Sequence, residues 1–324
     1  MRRIFRGLAA TLLVAIVVLG GMIAFDAPAK PAPLAAVSDA FDNVDFSGVP
    51  PVQTYVARDG ATLGYRAYEG SGDQVVVLIH GSTDDGGGIH PLARGLRDAG
   101  ATVYVPVLRG HGTHGGSGDI GYIGQLDDDL ADLVALLRKD HPNASYSLIG
   151  FSSGGGFTMR MMVGPQANLF DRYIMVSPVL PHGAPTLRPR VGGWVSIALP
   201  RIIALTIVNS IGIDWFNGLP IIAFATSPKA TNLTGAYSFR LAINFGAPDD
   251  YLSGLGKSTK PAAVLVGSKD ELFYPDRFAP LLNPARANLP VTIVPGVGHI
   301  GMTVTPDGIA AVRRAFLDLT APAT

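Results

Sequence analysis

Leu148-Ile149-Gly150-Phe151-Ser152-Ser153-Gly154-Gly155-Gly156 is the stretch on which the reading of this chain turns. It begins as a short apolar strand, passes through a serine flanked by glycines and continues as the start of a helix. Gly150-x-Ser152-x-Gly154 is the pattern of a nucleophile elbow, a sharp strand-to-helix turn that holds a serine hydroxyl clear of the backbone. Such a turn forces the serine into a sparsely allowed conformation and draws neighbouring main chain close, so only small residues fit beside it. A glycine-rich turn that merely contains a serine gives the same pentapeptide. The surrounding chain has to separate the two readings.

Upstream, Gln74-Val75-Val76-Val77-Leu78-Ile79 is a continuous apolar, β-branched run, as expected of a strand buried on both faces of a parallel sheet. His80-Gly81-Ser82-Thr83 ends it. A helix is predicted around Ile89–Ala99, a strand over Ala101–Val107, and then the loop Arg109-Gly110-His111-Gly112. Tyr122–Asp140 reads as an amphipathic helix with Asp127, Asp128 and Asp129 early and Arg138 and Lys139 late, matching the helix dipole. Tyr146–Ile149 leads into the elbow, Ser153–Val163 leads out, and Tyr173–Val176 is the next strand. Before all of these, Val52–Ala57 and Thr62–Tyr68 flank Arg58-Asp59-Gly60-Ala61, a hairpin signal. The β-α-β-α alternation predicts a doubly wound, mostly parallel sheet.

The rhythm breaks over residues 178–260, whose apolar patches Trp194–Val208 and Ile211–Thr226 read as a mostly helical insertion. It returns with a strand at Ala262–Gly267, a helix at Pro275–Ala287, a strand at Val291–Val294 and a helix at Pro306–Leu319. One domain over residues 51–324 with one insertion accounts for this pattern.

The N-terminus has a different character. Arg2, Arg3 and Arg6 precede an uncharged apolar run from Gly7 to Phe25. Its length approaches the ~20 apolar residues of a membrane-spanning helix, which favours an uncleaved anchor over residues 1–25. The alternative is a signal peptide cut near Ala27-Pro28-Ala29, leaving a secreted or periplasmic protein. Arginines favour the cytoplasmic side, which puts the rest of the chain outside the cytoplasm. Residues 26–50, rich in Ala, Pro and Asp, read as a linker.

Composition excludes several functions. The 324 residues carry 25 basic and 25 acidic side chains, so no electrostatic footprint for nucleic acid exists. There is no cysteine, hence no thiol nucleophile and no cysteine metal site. No metal-ligand cluster or dinucleotide fingerprint is present, and Gly86–Gly88 lacks the necessary spacing. No cofactor is expected.

Five motifs in order, each just after a predicted strand, now stand together: His80-Gly81-Ser82, Arg109-Gly110-His111-Gly112, Gly150-Phe151-Ser152-Ser153-Gly154, Gly267-Ser268-Lys269-Asp270 and Gly298-His299. In these the chain resembles the α/β-hydrolases from about Pro51 to its C-terminus, and in particular the group of lysophospholipases, monoacylglycerol lipases and serine aminopeptidase-type hydrolases. The resemblance implies an α/β-hydrolase fold with a helical lid. It makes Ser152 the nucleophile rather than Ser153. Among seven histidines, His299 alone follows the last strand, and it becomes the base. His80 and His111 serve loop structure in the family, while His90, His114, His141 and His182 have no motif around them. Asp270, Glu271 and Asp276 all follow the strand Ala262–Gly267; Asp270 is the family position for the acid. The oxyanion donors are expected to be the backbone N–H groups of Ser153 and Ser82.

The activity so implied is hydrolysis of carboxylic esters through an acyl-enzyme, with apolar, lipid-like acyl groups suggested by the insertion's Trp194, Ile202, Leu205, Trp215, Ile221 and Phe224 and by the anchor. Those apolar residues could equally be the insertion's own core. An acyltransferase on the same triad and a non-catalytic binding protein on a hydrolase scaffold are the alternatives. A serine at the elbow argues against the aspartate chemistry of haloalkane dehalogenases and epoxide hydrolases.

Overall fold

The β-branched runs form the centre of a sheet because their alternate side chains can be buried on both faces. Val75, Val77 and Ile79 enter one core layer, and Val76 and Leu78 enter the other. The computed structural model describes residues 2–42, 44–112, 118–227 and 233–321; His114 lies outside them. Strands β1 (Gln53–Val56), β2 (Thr62–Tyr68), β3 (Gln74–Ile79), β4 (Thr102–Val107), β5 (Ser145–Phe151) and β6 (Arg172–Val176) precede the insertion. Within the insertion lie β7 (Val195–Ile197), β8 (Pro220–Phe224) and β9 (Ala236–Ser238), and after it β10 (Ala262–Gly267) and β11 (Val291–Val294). The helices, in chain order, are α1 (Arg2–Phe25), α2 (Ala35–Ser38), α3 (His90–Arg97), α4 (Gln125–Asp140), α5 (Ser153–Val163), α6 (Leu199–Ser210), α7 (Phe239–Asn244), α8 (Tyr251–Lys257), α9 (Phe278–Leu282), α10 (Gly301–Val304) and α11 (Pro306–Thr320).

Eight strands form one sheet in the order β1-β2-β4-β3-β5-β6-β10-β11. β2 pairs antiparallel with β1 and β4, and the remaining pairs are parallel. Register places the chemistry. Ile79 lies opposite Gly150, Phe151 opposite Val176, and Gly267 opposite Val294. β3, β5, β10 and β11 therefore run out at one edge, and the loops that follow them meet there, where ligands bind in open α/β sheets.

Three predicted helices are shorter than expected, and α3, expected around Ile89–Ala99, loses only its ends. α4 starts at Gln125, not Tyr122, because Gly124 stands in the left-handed region (φ 108°) and breaks the helical path. Asn244, from the insertion, accepts the N–H groups of Gly124 and Leu126 and caps α4. The helix expected over Pro275–Ala287 is a 3₁₀ turn at Pro275–Arg277 followed by α9, which stops at Leu282 just before Asn283-Pro284.

The insertion is not mostly helical. β7, β8 and β9 form a separate three-stranded antiparallel sheet, β7-β8-β9, beside α6, α7 and α8. Ile221-Ile222-Ala223-Phe224 is the same kind of short apolar run that fits helix and strand alike; only pairing with its neighbours decides it.

α1 is almost wholly exposed along its apolar length, as a spanning helix would be in the absence of lipid, and one apolar helix of this kind fits an anchor or a signal sequence. Its last turn packs on the insertion. Ile23 is buried with Leu205, Val208, Ile221 and Phe239. The buried Arg201 side chain donates to the carbonyls of Ile23 (2.9 Å) and Pro220 (2.8 Å). The stretch 26–50, expected to be a linker, carries α2 and a 3₁₀ turn (Asp39–Phe41) and lies against the body of the protein.

Candidate active site

Ser152 sits between β5 and α5 with φ 57° and ψ −117°, a conformation that costs a non-glycine residue about 1–3 kcal/mol. Its N–H donates to Val176 O (2.9 Å), and its carbonyl accepts from Val179 and Gly156. The flanking glycines are required by close approach. A methyl on Gly150 would overlap the Gly154 carbonyl, and one on Gly154 would overlap the carbonyls of His80 and Ile79.

The structure brings Ser152, His299 and Asp270 together from three loops. His299 Nε2 lies 3.0 Å from Ser152 Oγ, and His299 Nδ1 lies 2.8 Å from Asp270 Oδ2. Asp270 Oδ1 accepts the N–H groups of Leu272 and Phe273, both at 2.9 Å. With that carboxylate on Nδ1, the imidazole carries its proton there and leaves Nε2 free to accept from the serine hydroxyl. Burial pushes the Asp270 carboxyl up, but His299 beside it and the two N–H donors outweigh burial and hold it below the usual carboxylate range. All three side chains are nearly closed to solvent, with exposures of 5% for Ser152, 1% for Asp270 and 2% for His299. The rings of Phe151 and Phe273 pack on the imidazole at centroid distances of 4.8 and 5.0 Å.

The two other acids near β10 fall elsewhere. Glu271 Oε2 accepts the main-chain N–H of His299 at 2.8 Å, a role that sequence spacing does not reveal. Asp276 is exposed in the 3₁₀ turn. Ser82 and Gly81 line the cavity with Ser152, and Ser153 opens α5. Neither the Ser82 nor the Ser153 N–H is spent on a loop or turn hydrogen bond among the described residues. The Trp194 indole donates to Ser82 Oγ at 3.3 Å.

His80 and His111 build the loops around the site. Leu108 N–H donates to His80 Nε2, so His80 Nδ1–H donates to Gly81 O (2.8 Å). Thr83 N–H donates to Tyr237 OH (2.9 Å), Tyr237 OH donates to His111 Nε2 (2.5 Å), and His111 Nδ1–H donates to Arg109 O (3.2 Å). Burial pushes both histidines below their ordinary range, His111 further with His80 beside it. His90 bonds Tyr68 and Ser47, His141 bonds Tyr104, and His182 is exposed.

A cavity of about 420 Å³ opens over Ser152 and His299. Its walls are mainly apolar and include Ile89, Phe151, Trp194, Leu233, Leu272 and Ile300. Of the apolar insertion residues expected to shape an acyl pocket, Trp194 alone reaches it. Leu205, Ile221 and Phe224 pack within the protein, and Trp215 is 82% exposed. No group of three or more His, Asp or Glu side chains suited to a metal occurs among the described residues.

Comparison with known proteins agrees with this architecture. The family model described as serine aminopeptidase, S33, matches residues 70–300. A monoacylglycerol lipase of Mycolicibacterium smegmatis is 33% identical over 119 residues, 33% of this chain and 41% of that protein. A monoglyceride lipase of Rattus norvegicus is 26% identical over 195 residues, 56% of this chain and 63% of that protein. The chain thus spans between about two fifths and just under two thirds of these relatives. The crystal structure of a soluble variant of the Saccharomyces cerevisiae monoglyceride lipase superposes with a TM-score of 0.61 at 19% identity, covering 85% of this chain and 96% of that one. With the sheet order, the strained serine after β5 and a family match over most of its length, the chain belongs to the serine aminopeptidase (S33) family and has the α/β-hydrolase fold.

Proposed function

We propose that this protein is a serine hydrolase that cleaves carboxylic esters of apolar, lipid-like acyl groups, anchored by α1 with its hydrolase domain outside the cytoplasm. The observation that carries the reading is the continuous hydrogen-bonded path from Ser152 Oγ through His299 to Asp270 at the floor of an apolar cavity. The similarity to monoacylglycerol and monoglyceride lipases supports the ester class, and the cavity wall supports an acyl chain.

In this mechanism His299 Nε2 takes the proton of Ser152 as Oγ attacks the ester carbonyl carbon. The carbonyl oxygen becomes an oxyanion and is met by the N–H groups of Ser82 and Ser153, the latter at the positive end of the α5 dipole. Asp270 stabilises the imidazolium without taking its proton. The C–O bond to the alcohol breaks and His299 returns the proton to the departing oxygen. Water then attacks the acyl-enzyme by the same route, releasing the acid and restoring Ser152. In this reading the insertion covers the serine only through Trp194 and Leu233 among the described residues.

Turnover of nitrophenyl esters by wild type and by Ser152→Ala tests the reading. Loss of turnover and of fluorophosphonate labelling in the variant is expected; activity that survives Ser152→Ala overturns it. N-terminal sequencing of the mature protein tests the anchor, since a start near Lys30 would show a cleaved signal.

A further inference from the structure

The apolar wall of the cavity is completed from an unexpected part of the chain. Val37, Phe41, Phe46 and Val49 line the same space as Ser152 and His299, and all four belong to the stretch between α1 and the hydrolase domain. That stretch lies before the residues matched by the family model, which begin at 70. Among the described residues the insertion contributes only Trp194 and Leu233 to this wall.

The stretch is held as a strap along the cavity. At one end Leu34 N–H donates to Ala225 O of the insertion (3.3 Å). At the other, His90 Nε2–H donates to Ser47 O (3.1 Å), and Asp45 pairs with Arg94 (3.4 Å) at the surface. Between these ties the Phe41 and Phe46 rings lie 6.2 Å apart, and Val37 and Phe41 pack against the core layer that includes Ile300 and Met302. The strap thus bridges the insertion, α3 and the segment that follows His299. It begins shortly after Phe25, where α1 is docked on the insertion through Arg201.

We propose that this juxtamembrane strap determines acyl-chain length, with Val37 and Phe41 setting the depth available to the chain, an inference that rests on the ester-hydrolase reading above. Three features favour a role in recognition over that of a spacer. A spacer would expose polar backbone and side chains, whereas this segment turns four apolar side chains to the catalytic cavity. The ties at Leu34 and Ser47 hold it against the insertion and α3. Among the described residues the insertion supplies only Trp194 and Leu233 to the same cavity. Each acyl methylene buried against such a wall is worth about a fourfold gain in kcat/KM, so filling or emptying this space alters preference among chain lengths more than it alters the chemistry at Ser152.

The test uses full-length protein in detergent micelles and nitrophenyl esters from acetate to long acyl chains, with fluorophosphonate labelling of Ser152 measured alongside. Val37→Trp is expected to lower kcat/KM for long acyl esters by about tenfold or more relative to acetate. Phe41→Ala is expected to move the preferred length upward. Ala36→Trp, on the exposed side of the same strap, is expected to leave the profile unchanged. Labelling that stays normal while neither Val37→Trp nor Phe41→Ala shifts the length profile overturns the strap's role and leaves the hydrolase reading standing. A shift of the same size in Ala36→Trp also overturns it. Failure of wild type to hydrolyse any ester overturns both.

Discussion

Glu271 holds the backbone of His299: its Oε2 accepts the His299 main-chain N–H at 2.8 Å, while the preceding residue, Asp270, holds the same histidine by its ring. Adjacent carboxylates thus fix main chain and side chain of one residue. Glu271→Ala removes the first constraint and leaves the path from Ser152 to Asp270 chemically intact. It is expected to lower kcat about 10- to 100-fold with little change in KM, as a slight misplacement of a catalytic group does. Glu271→Gln keeps an acceptor oxygen and is expected to retain most activity. Steady-state kinetics of the pair checks this, and equal activity of the Ala and Gln variants would count against a positioning role.

Asp270→Asn is expected to be far more damaging. Oδ1 of residue 270 accepts two N–H groups, from Leu272 and Phe273, so an asparagine must keep its oxygen there and turn its NH₂ toward His299 Nδ1. That selects the imidazole tautomer with the proton on Nε2, which cannot accept from Ser152. A fall in kcat of about 10⁴-fold is expected, measured with a short nitrophenyl ester, and a fall of less than tenfold would contradict the assigned acid.

Gly154→Ala tests the packing that shapes the elbow. The added methyl meets main-chain carbonyls of β3 and its following residue, which cannot rotate away as a flexible side chain could. Overpacking of this kind costs about 1–3 kcal/mol, so a lower urea midpoint and reduced turnover are expected together. Gly235→Ala, with open space around it, is the control and is expected to leave both unchanged.

The loops around the site are expected to be sensitive to acid. His80 and His111 have their folded values pushed below 6.5 by burial, so below that pH the unfolded chain binds more protons than the folded one. Their contribution to stability is then fully present above about pH 6.5 and is lost as pH falls through and below it, against the opposite effect of the neighbouring Asp84, whose carboxyl burial pushes up. Tm is expected to drop from pH 7.5 to 5.5, and to drop less in His111→Asn, which has one such group fewer. A wild-type Tm that rises over that interval would contradict the assignment of neutral, buried histidines. Asp270 behaves oppositely in range: its folded value lies below 3.8, so its contribution persists to lower pH and is lost only as pH falls through the folded value.

Local pattern by itself determined much of this protein. The runs over Thr62–Tyr68, Gln74–Ile79, Ala262–Gly267 and Val291–Val294 are strands at the expected bounds, and Ser153–Val163 is a helix at the expected bounds, because a hairpin turn, a short apolar or β-branched run and a helix opening after the glycine-flanked serine are properties of the segment itself. The order of motifs likewise marked Ser152 and His299, since each follows a strand and a parallel sheet implies the edge where strands end, while Asp270 was the acid only by the resemblance to the α/β-hydrolases. Tertiary structure decided the rest. Whether Ile221–Phe224 pairs or coils depends on β7 and β9 lying beside it, not on its own composition. Among Asp270, Glu271 and Asp276, three neighbouring acids of similar chemistry, only the path of the loop determines which one meets an imidazole. The placement of residues 26–50 was the least legible. Val37, Phe41, Phe46 and Val49 have no shared period and stand among alanines and prolines, so nothing local marks them; they acquire a common face only because the hydrolase domain supplies the surface across which the strap is stretched.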